Sequence, residues 1–141
     1  MNHERAIPCP CSSKQAYANC CAPFHQGELP VHALQLMRSR YSAYALCLPE
    51  YIIHTTHPKN PQFHHNTAQW AKEISEFCVN TEFRKLAILD TQEKDRSATV
   101  TFTAHLFQDE KDVSFTEKSY FEKVEGKWLY HSGQINRQEW C

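Results

Sequence analysis

Two periods of apolar and polar positions divide the chain. From Pro30 the apolar residues Leu34, Met37, Tyr41, Tyr44 and Leu48 recur at spacings of three and four, which marks one face of an α-helix. Pro30 opens this helix and Pro49 closes it. Pro49 also starts a short second helix through Tyr51, Ile52 and Ile53 that ends before Pro58, and a polar loop with His64 and His65 follows. Trp70, Ile74, Phe77 and Cys78 keep the helical period in a third helix, for which Asn66 or Thr67 is the N-cap.

Beyond Thr81 the period becomes two. Ala98, Val100, Phe102, Ala104 and Leu106 alternate with Thr99, Thr101, Thr103 and His105, the pattern of a half-buried strand. Neighbouring strands are Phe83 to Asp90, Val113 to Val124 and Lys127 to His131, joined by polar turns at Gln92 to Arg96, Asp109 to Asp112 and Glu125-Gly126. Links this short imply an antiparallel meander. Helices followed by strands are the signature of an α+β fold, with the helices packed on one face of a curled sheet over residues 29–141.

Residues 1–28 follow neither period. They hold four of the seven cysteines and cannot build a core alone, so metal, disulfides or docking must order them. Residues 1–10 lack the apolar core of a secretory signal, and no apolar run approaches the roughly 20 residues that span a bilayer; a cytoplasmic address is expected and a membrane partner is not. A reducing compartment keeps thiols free, which favours metal over a disulfide framework. The formal charge of −1, with Lys and Arg scattered among acids, lacks the footprint of a nucleic-acid binder.

Cys9-Pro10-Cys11, eight residues, then Cys20-Cys21 supplies four thiolates in two sequence-local pairs, enough to close a tetrahedral zinc shell. Lys14 stands nearby to hold thiolates ionised. The competing readings are buried incidental thiols, a redox pair and iron–sulfur ligation, although the spacing matches neither ferredoxin pattern. His25 is an alternative fourth ligand to Cys21. Cys47 and Cys78 lie at helical apolar stripes and read as core thiols, while Cys141 ends the chain.

The stretch from Cys9-Pro10-Cys11-Ser12-Ser13-Lys14 through Tyr17 to Cys20-Cys21 resembles the SEC-C zinc motif, which also ends the SecA translocase. Leu36-Met37-Arg38-Ser39-Arg40-Tyr41-Ser42-Ala43-Tyr44, then Thr55-Thr56-His57-Pro58, resemble the YchJ family. Glu117, Ser119, Phe121, Gly126, Trp128, Tyr130 and Gly133 are similar to that family's closing strands. The resemblance implies a cone of the nuclear transport factor 2 superfamily, three helices closing a curved antiparallel sheet, and brings no activity with it. By the same analogy the zinc module would meet a SecB-like chaperone or the ribosome. Ser12-Ser13 stands where a Gly-Ser pair is usual, and Lys14 is alone where several lysines are usual, which weakens the electrostatic part of that analogy.

Strand parity puts Glu117 on one face with Val113, Phe115, Ser119 and Phe121, hence inward. Arg38 or Arg40, flanking the apolar face of the first helix, is expected to pair with it. Alternatively Glu117 is an acid or base in a cone pocket, as in ketosteroid-isomerase-like relatives, with Tyr44, His54 or His57 positioning a small ligand. Three glycines cannot make a dinucleotide or phosphate loop, and neither a nucleophile elbow nor His-Glu-x-x-His occurs. The leading expectation is therefore a cytoplasmic zinc-binding adaptor whose metal module meets a protein partner, and the alternative a small-molecule binder or enzyme using the cone.

Overall fold

The computed structural model describes residues 7–136 of the 141-residue chain, so Cys141 lies outside the described residues. A 3-10 turn, Tyr17–Asn19, and a one-turn helix α1, Ala22–His25, form the cysteine segment. Helices α2 (Ala33–Ala45), α3 (Pro49–His54) and α4 (Thr67–Val79) follow. Strands β1 (Glu82–Glu93), β2 (Ser97–Gln108), β3 (Lys111–Asp112), β4 (Phe115–Val124) and β5 (Lys127–Asn136) complete the chain. The sheet runs β1-β2-β4-β5, antiparallel throughout, with the two-residue β3 continuing the pairing to β2.

The expected helices form where their periods place them, and their ends have identifiable causes. The Gln35 side chain accepts from the backbone N–H groups of Val31 and His32, and Glu93 of β1 accepts from the first helical amide, Ala33, at 2.9 Å. Helix α2 stops at Ala45, earlier than the stripe to Leu48 suggests, because Cys47 turns left-handed at φ 59°. Asn66 caps α4 by accepting from the Gln69 amide. The turn between β2 and β3 narrows to Asp109 and Glu110, both left-handed (φ 53° and 66°), as a two-residue hairpin requires.

One core lies between α2 and the concave face of the sheet, built on Leu36, Met37, Leu86, Val100 and Phe121. A second joins α3 to α4 through Ile52, Ile53, Trp70 and Ile74. Cys9, Cys11 and Cys21 belong to the first. The sequence reading treats the cysteine segment as a separate module; the structure packs it into the same core, against the small residues of α2. Ser39 and Ser42 are fully buried there, and their lack of bulk lets the segment approach the helix.

Candidate functional site

The four cysteines of the segment converge. The sulfurs of Cys9, Cys11, Cys20 and Cys21 all lie within 4.8 Å of one another, with Cys11 to Cys20 at 3.5 Å and Cys20 to Cys21 at 3.9 Å. A tetrahedral shell with metal–sulfur bonds of about 2.3 Å spaces its ligands by about 3.8 Å, so the set is compatible with a bound metal ion. Three of the thiols are buried and Cys20 is half-buried. Ser42 Oγ bridges Cys9 and Cys21 at 3.4 and 3.3 Å, and Ser13 Oγ meets Cys20 at 3.1 Å.

Without a cation the four thiols cannot all ionise together. Hydrogen bonds from Cys21 above all, then Ser13, Cys20 and Cys9, hold the Cys11 thiol down to about 4 against its burial. Burial, with the Cys11 charge beside it, pushes Cys20 up to about 11, and donation to Cys11 together with burial drives Cys21 higher still. Such a set of competing thiols is matched by a thiophilic metal that stabilises all four as thiolates.

One sequence expectation at this site is corrected, and the alternative to Cys21 as fourth ligand falls away. Lys14 is exposed; the cation that reaches the cluster is Arg38, whose Nη1 donates to the Cys11 carbonyl at 2.8 Å and lies 3.8 Å from its sulfur. His25 is not a ligand: its Nδ1 meets the Tyr17 hydroxyl at 2.7 Å and its Nε2 the Ser39 carbonyl at 2.8 Å, which engages both ring nitrogens. The ring instead pins α1 to α2.

The second feature is a cavity of about 1070 Å³ inside the cone, between α2, α4 and the concave sheet. Arg40, Tyr44 and Glu117 line it among Trp70, Phe83 and Phe102. Tyr41 also lines it, with a hydroxyl that finds no hydrogen-bond partner; burial pushes that hydroxyl up to about 12 against the opposing pull of the Lys85 amide, which lies outside hydrogen-bond geometry. His64 and His65 lie at the cavity as well, so the polar loop is part of its wall.

Glu117 points inward, as its parity requires, and is 9% exposed. The expected ion pair with Arg38 or Arg40 does not form: among the described residues no basic nitrogen lies within 4.0 Å of its oxygens. Glu117 Oε2 instead accepts from Ser119 Oγ at 2.6 Å and from the Tyr130 hydroxyl at 2.7 Å. Arg38 is spent on the cysteine segment. Arg40 Nη1 donates to the Ile52 carbonyl and to the hydroxyls of Thr55 and Thr56 at the end of α3, and its guanidinium stacks 4.5 Å over the Tyr130 ring. Burial, reinforced by the Glu117 charge, pushes the Tyr130 hydroxyl far above its ordinary value, so it stays a donor.

Tyr130 is the residue that sequence reasoning missed at this site, although its place beside Glu117 has a visible cause. The register between β4 and β5 slips between Tyr120 and Phe121, so that Phe121 opposes Tyr130 while Ser119 opposes Gly133. The extra residue, His131, turns both Tyr130 and Gly133 to the inner face although they are three apart. Gly133 is required there, because a Cβ would overlap the Glu117 carboxylate and crowd the Tyr130 hydroxyl.

His57, the remaining pocket candidate, is not among the cavity-lining residues. Its Nε2 meets Glu122 Oε1 at 2.6 Å and its ring packs on His131. These three side chains are close enough together to suggest a metal site. However, Nδ1 of His57 accepts from the Lys59 amide at 3.0 Å, which leaves the proton on Nε2 and no lone pair there for a metal. His54, on α3, is exposed.

Both the fold and the cysteine-bearing segment match known families. Residues 32–133 match the middle NTF2-like domain of YchJ, and residues 5–23 match the SEC-C motif. The chain belongs to the YchJ (UPF0225) family. A UPF0225 protein of Sodalis glossinidius is 39% identical over 134 residues, covering 90% of this chain and 82% of the relative. One from Haemophilus influenzae is 36% identical over 86% of this chain and 74% of its own length. The solution structure of a SEC-C motif containing protein from Rhodopseudomonas palustris superposes with a TM-score of 0.76 at 28% identity, covering 94% of this chain and all (100%) of that one. The crystal structure of a SEC-C motif containing protein from Psychrobacter arcticus gives 0.73 at 26% identity, over 94% and 85% of the two chains. No helix of the described residues is long and apolar enough to cross a membrane.

Proposed function

We propose that this chain is a zinc-stapled small-molecule-binding protein, with the ligand in the cone and the metal in a structural role. The observation that carries this reading is the cavity of about 1070 Å³, a volume of the size that encloses a cofactor- or drug-sized molecule, with the carboxylate of Glu117 in its wall. Zinc suits four thiolates in a closed, largely buried shell, which leaves no position for a substrate. Free thiols at such a site agree with a reducing, cytoplasmic setting. Ligand-observed NMR of the zinc-loaded chain against a library of amphipathic small molecules tests the reading. Hits should compete with one another and vanish in Ala104→Trp, which fills the cone from β2. Hits that survive the plugged variant, or a library without hits, argue against it.

The adaptor reading has its own support in the exposed Ile7, Lys14, Gln15 and Asn19 around the buried thiols, a surface that a protein partner such as a chaperone or ribosomal protein could meet. Capture of a partner by the intact chain that is lost on exchanging these four residues for Ser, with zinc retained, supports that role. Equal capture by both chains removes it.

A further inference from the structure

Of the charged residues that line the cone, Arg40 and Glu117 are each more than nine-tenths buried, and they are not paired with each other. Their surroundings differ in a way that selects a ligand. Arg40 turns Nη1 to three oxygens of the α3 terminus and lays its guanidinium face on the Tyr130 ring. Glu117 has no cation within ion-pair distance among the described residues. Both of its hydroxyl donors go to Oε2, and among the described residues no donor reaches Oε1. A buried carboxylate without a cation is costly, and a ligand that brings the cation removes that cost. Tyr130 and Ser119 act as donors toward Glu117, so the carboxylate is an acceptor and the ligand atom facing it must be a donor. The walls add to the match, since Tyr44, Phe83 and Phe102 present aromatic surface to which a cation is attracted, and Glu73 at the cavity wall adds a second negative group.

We infer that the cone takes an amine: an ammonium group on an aromatic or aliphatic skeleton, with its N–H against Glu117 Oε1 and its carbon framework among Tyr44, Phe83 and Phe102. This assignment rests on the cone being a ligand site. A carboxylate ligand would instead bring a further negative charge to a wall that already holds Glu117 and Glu73.

The test uses three probes that share one skeleton, phenylbutylamine, phenylbutanol and phenylbutyrate, titrated by calorimetry at neutral pH into the full zinc-loaded chain and into Glu117→Gln. A charge-assisted hydrogen bond predicts that the amine binds at least about tenfold more tightly than the alcohol and the acid. Glu117→Gln should collapse that preference while alcohol binding persists. Equal affinities, or tighter binding of the acid, overturn the amine assignment and leave the cone as a ligand site. No binding by any probe up to its solubility overturns both. Should Glu117→Gln fail to fold, intermolecular NOEs in the wild-type chain decide: the methylene next to the amine must contact the Tyr130 ring and the Ser119 methylene, and contacts elsewhere refute the pose.

Discussion

Substituting Gly133 by alanine tests the inner site at its tightest point. Gly133 stands opposite Ser119 on β5, and the space a Cβ would take is filled by the Glu117 carboxylate and the Tyr130 hydroxyl. The carboxylate cannot keep its place beside that methyl, so Gly133→Ala must break the hydrogen bonds from Ser119 and Tyr130 to Oε2 or bend the strand. Hydrogen bonds to a charged group contribute roughly 1.5 to 3 kcal/mol each, and shared relaxation makes their loss less than additive, so the cost should be about 3 to 5 kcal/mol. Against a total stability of about 5 to 15 kcal/mol this is a large fraction, and for a chain of this length it lowers the melting temperature on the order of 10 °C. Urea unfolding of Gly133→Ala, Glu117→Ala and the double variant measures it. Once the carboxylate is gone the methyl has less to displace, so the double variant should lose at least about 1 kcal/mol less than the two single losses added together. Strict additivity, or a single variant that melts within about 2 °C of the parent, refutes the placement of Glu117 against β5.

Removing the metal with a chelator under reducing conditions, or changing Cys11 to Ser, should lower the melting temperature of the whole chain, because Cys9, Cys11 and Cys21 sit in the same core as Leu36 and Leu86; hydrogen exchange should show protection lost in α2 and β1 as well as in the cysteine segment. Arg38→Ala should speed transfer of the metal to a chromogenic chelator by about 10- to 100-fold, the usual effect of losing a group that orients a ligand, while cavity binding is unchanged. For the reduced, metal-free chain, melts across pH should rise as pH climbs from about 4 towards about 9, because Cys11 is held below its unfolded value and its contribution is lost as pH falls through about 4. Above about 9 the trend should reverse, since the raised Cys20 and Cys21 thiols stay protonated in the fold while the unfolded chain ionises.

Much of this was readable along the chain, and what was not has physical causes. Periods of three-to-four and of two located α2, α4, β2 and the inward face of β4, because one buried face repeats at the helical or strand spacing. Local spacing also marked the four cysteines, which need only one tight segment to converge. The partners of Arg38 and Arg40 were not readable. Two positions apart on a helix point to opposite sides, and the acceptors they find include the Cys11 and Ile52 carbonyls, backbone groups that carry no sequence signature. Tyr130 escaped for another reason, since the slip at His131 breaks the alternation from which a facing residue would be deduced. Docking of the cysteine segment did leave a trace: Ser39 and Ser42, three apart on α2, are small and fully buried where the segment meets the helix.

A crystal structure of the full, zinc-loaded chain grown with the tightest-binding small molecule is the most direct measurement of the central claim. The account predicts ligand density inside the cone, in contact with Tyr44 and Tyr130 and within hydrogen-bonding reach of Glu117 Oε1, beside a metal ion held by Cys9, Cys11, Cys20 and Cys21. Ligand density confined to the outer surface, with the cone closed by its own side chains, would contradict it.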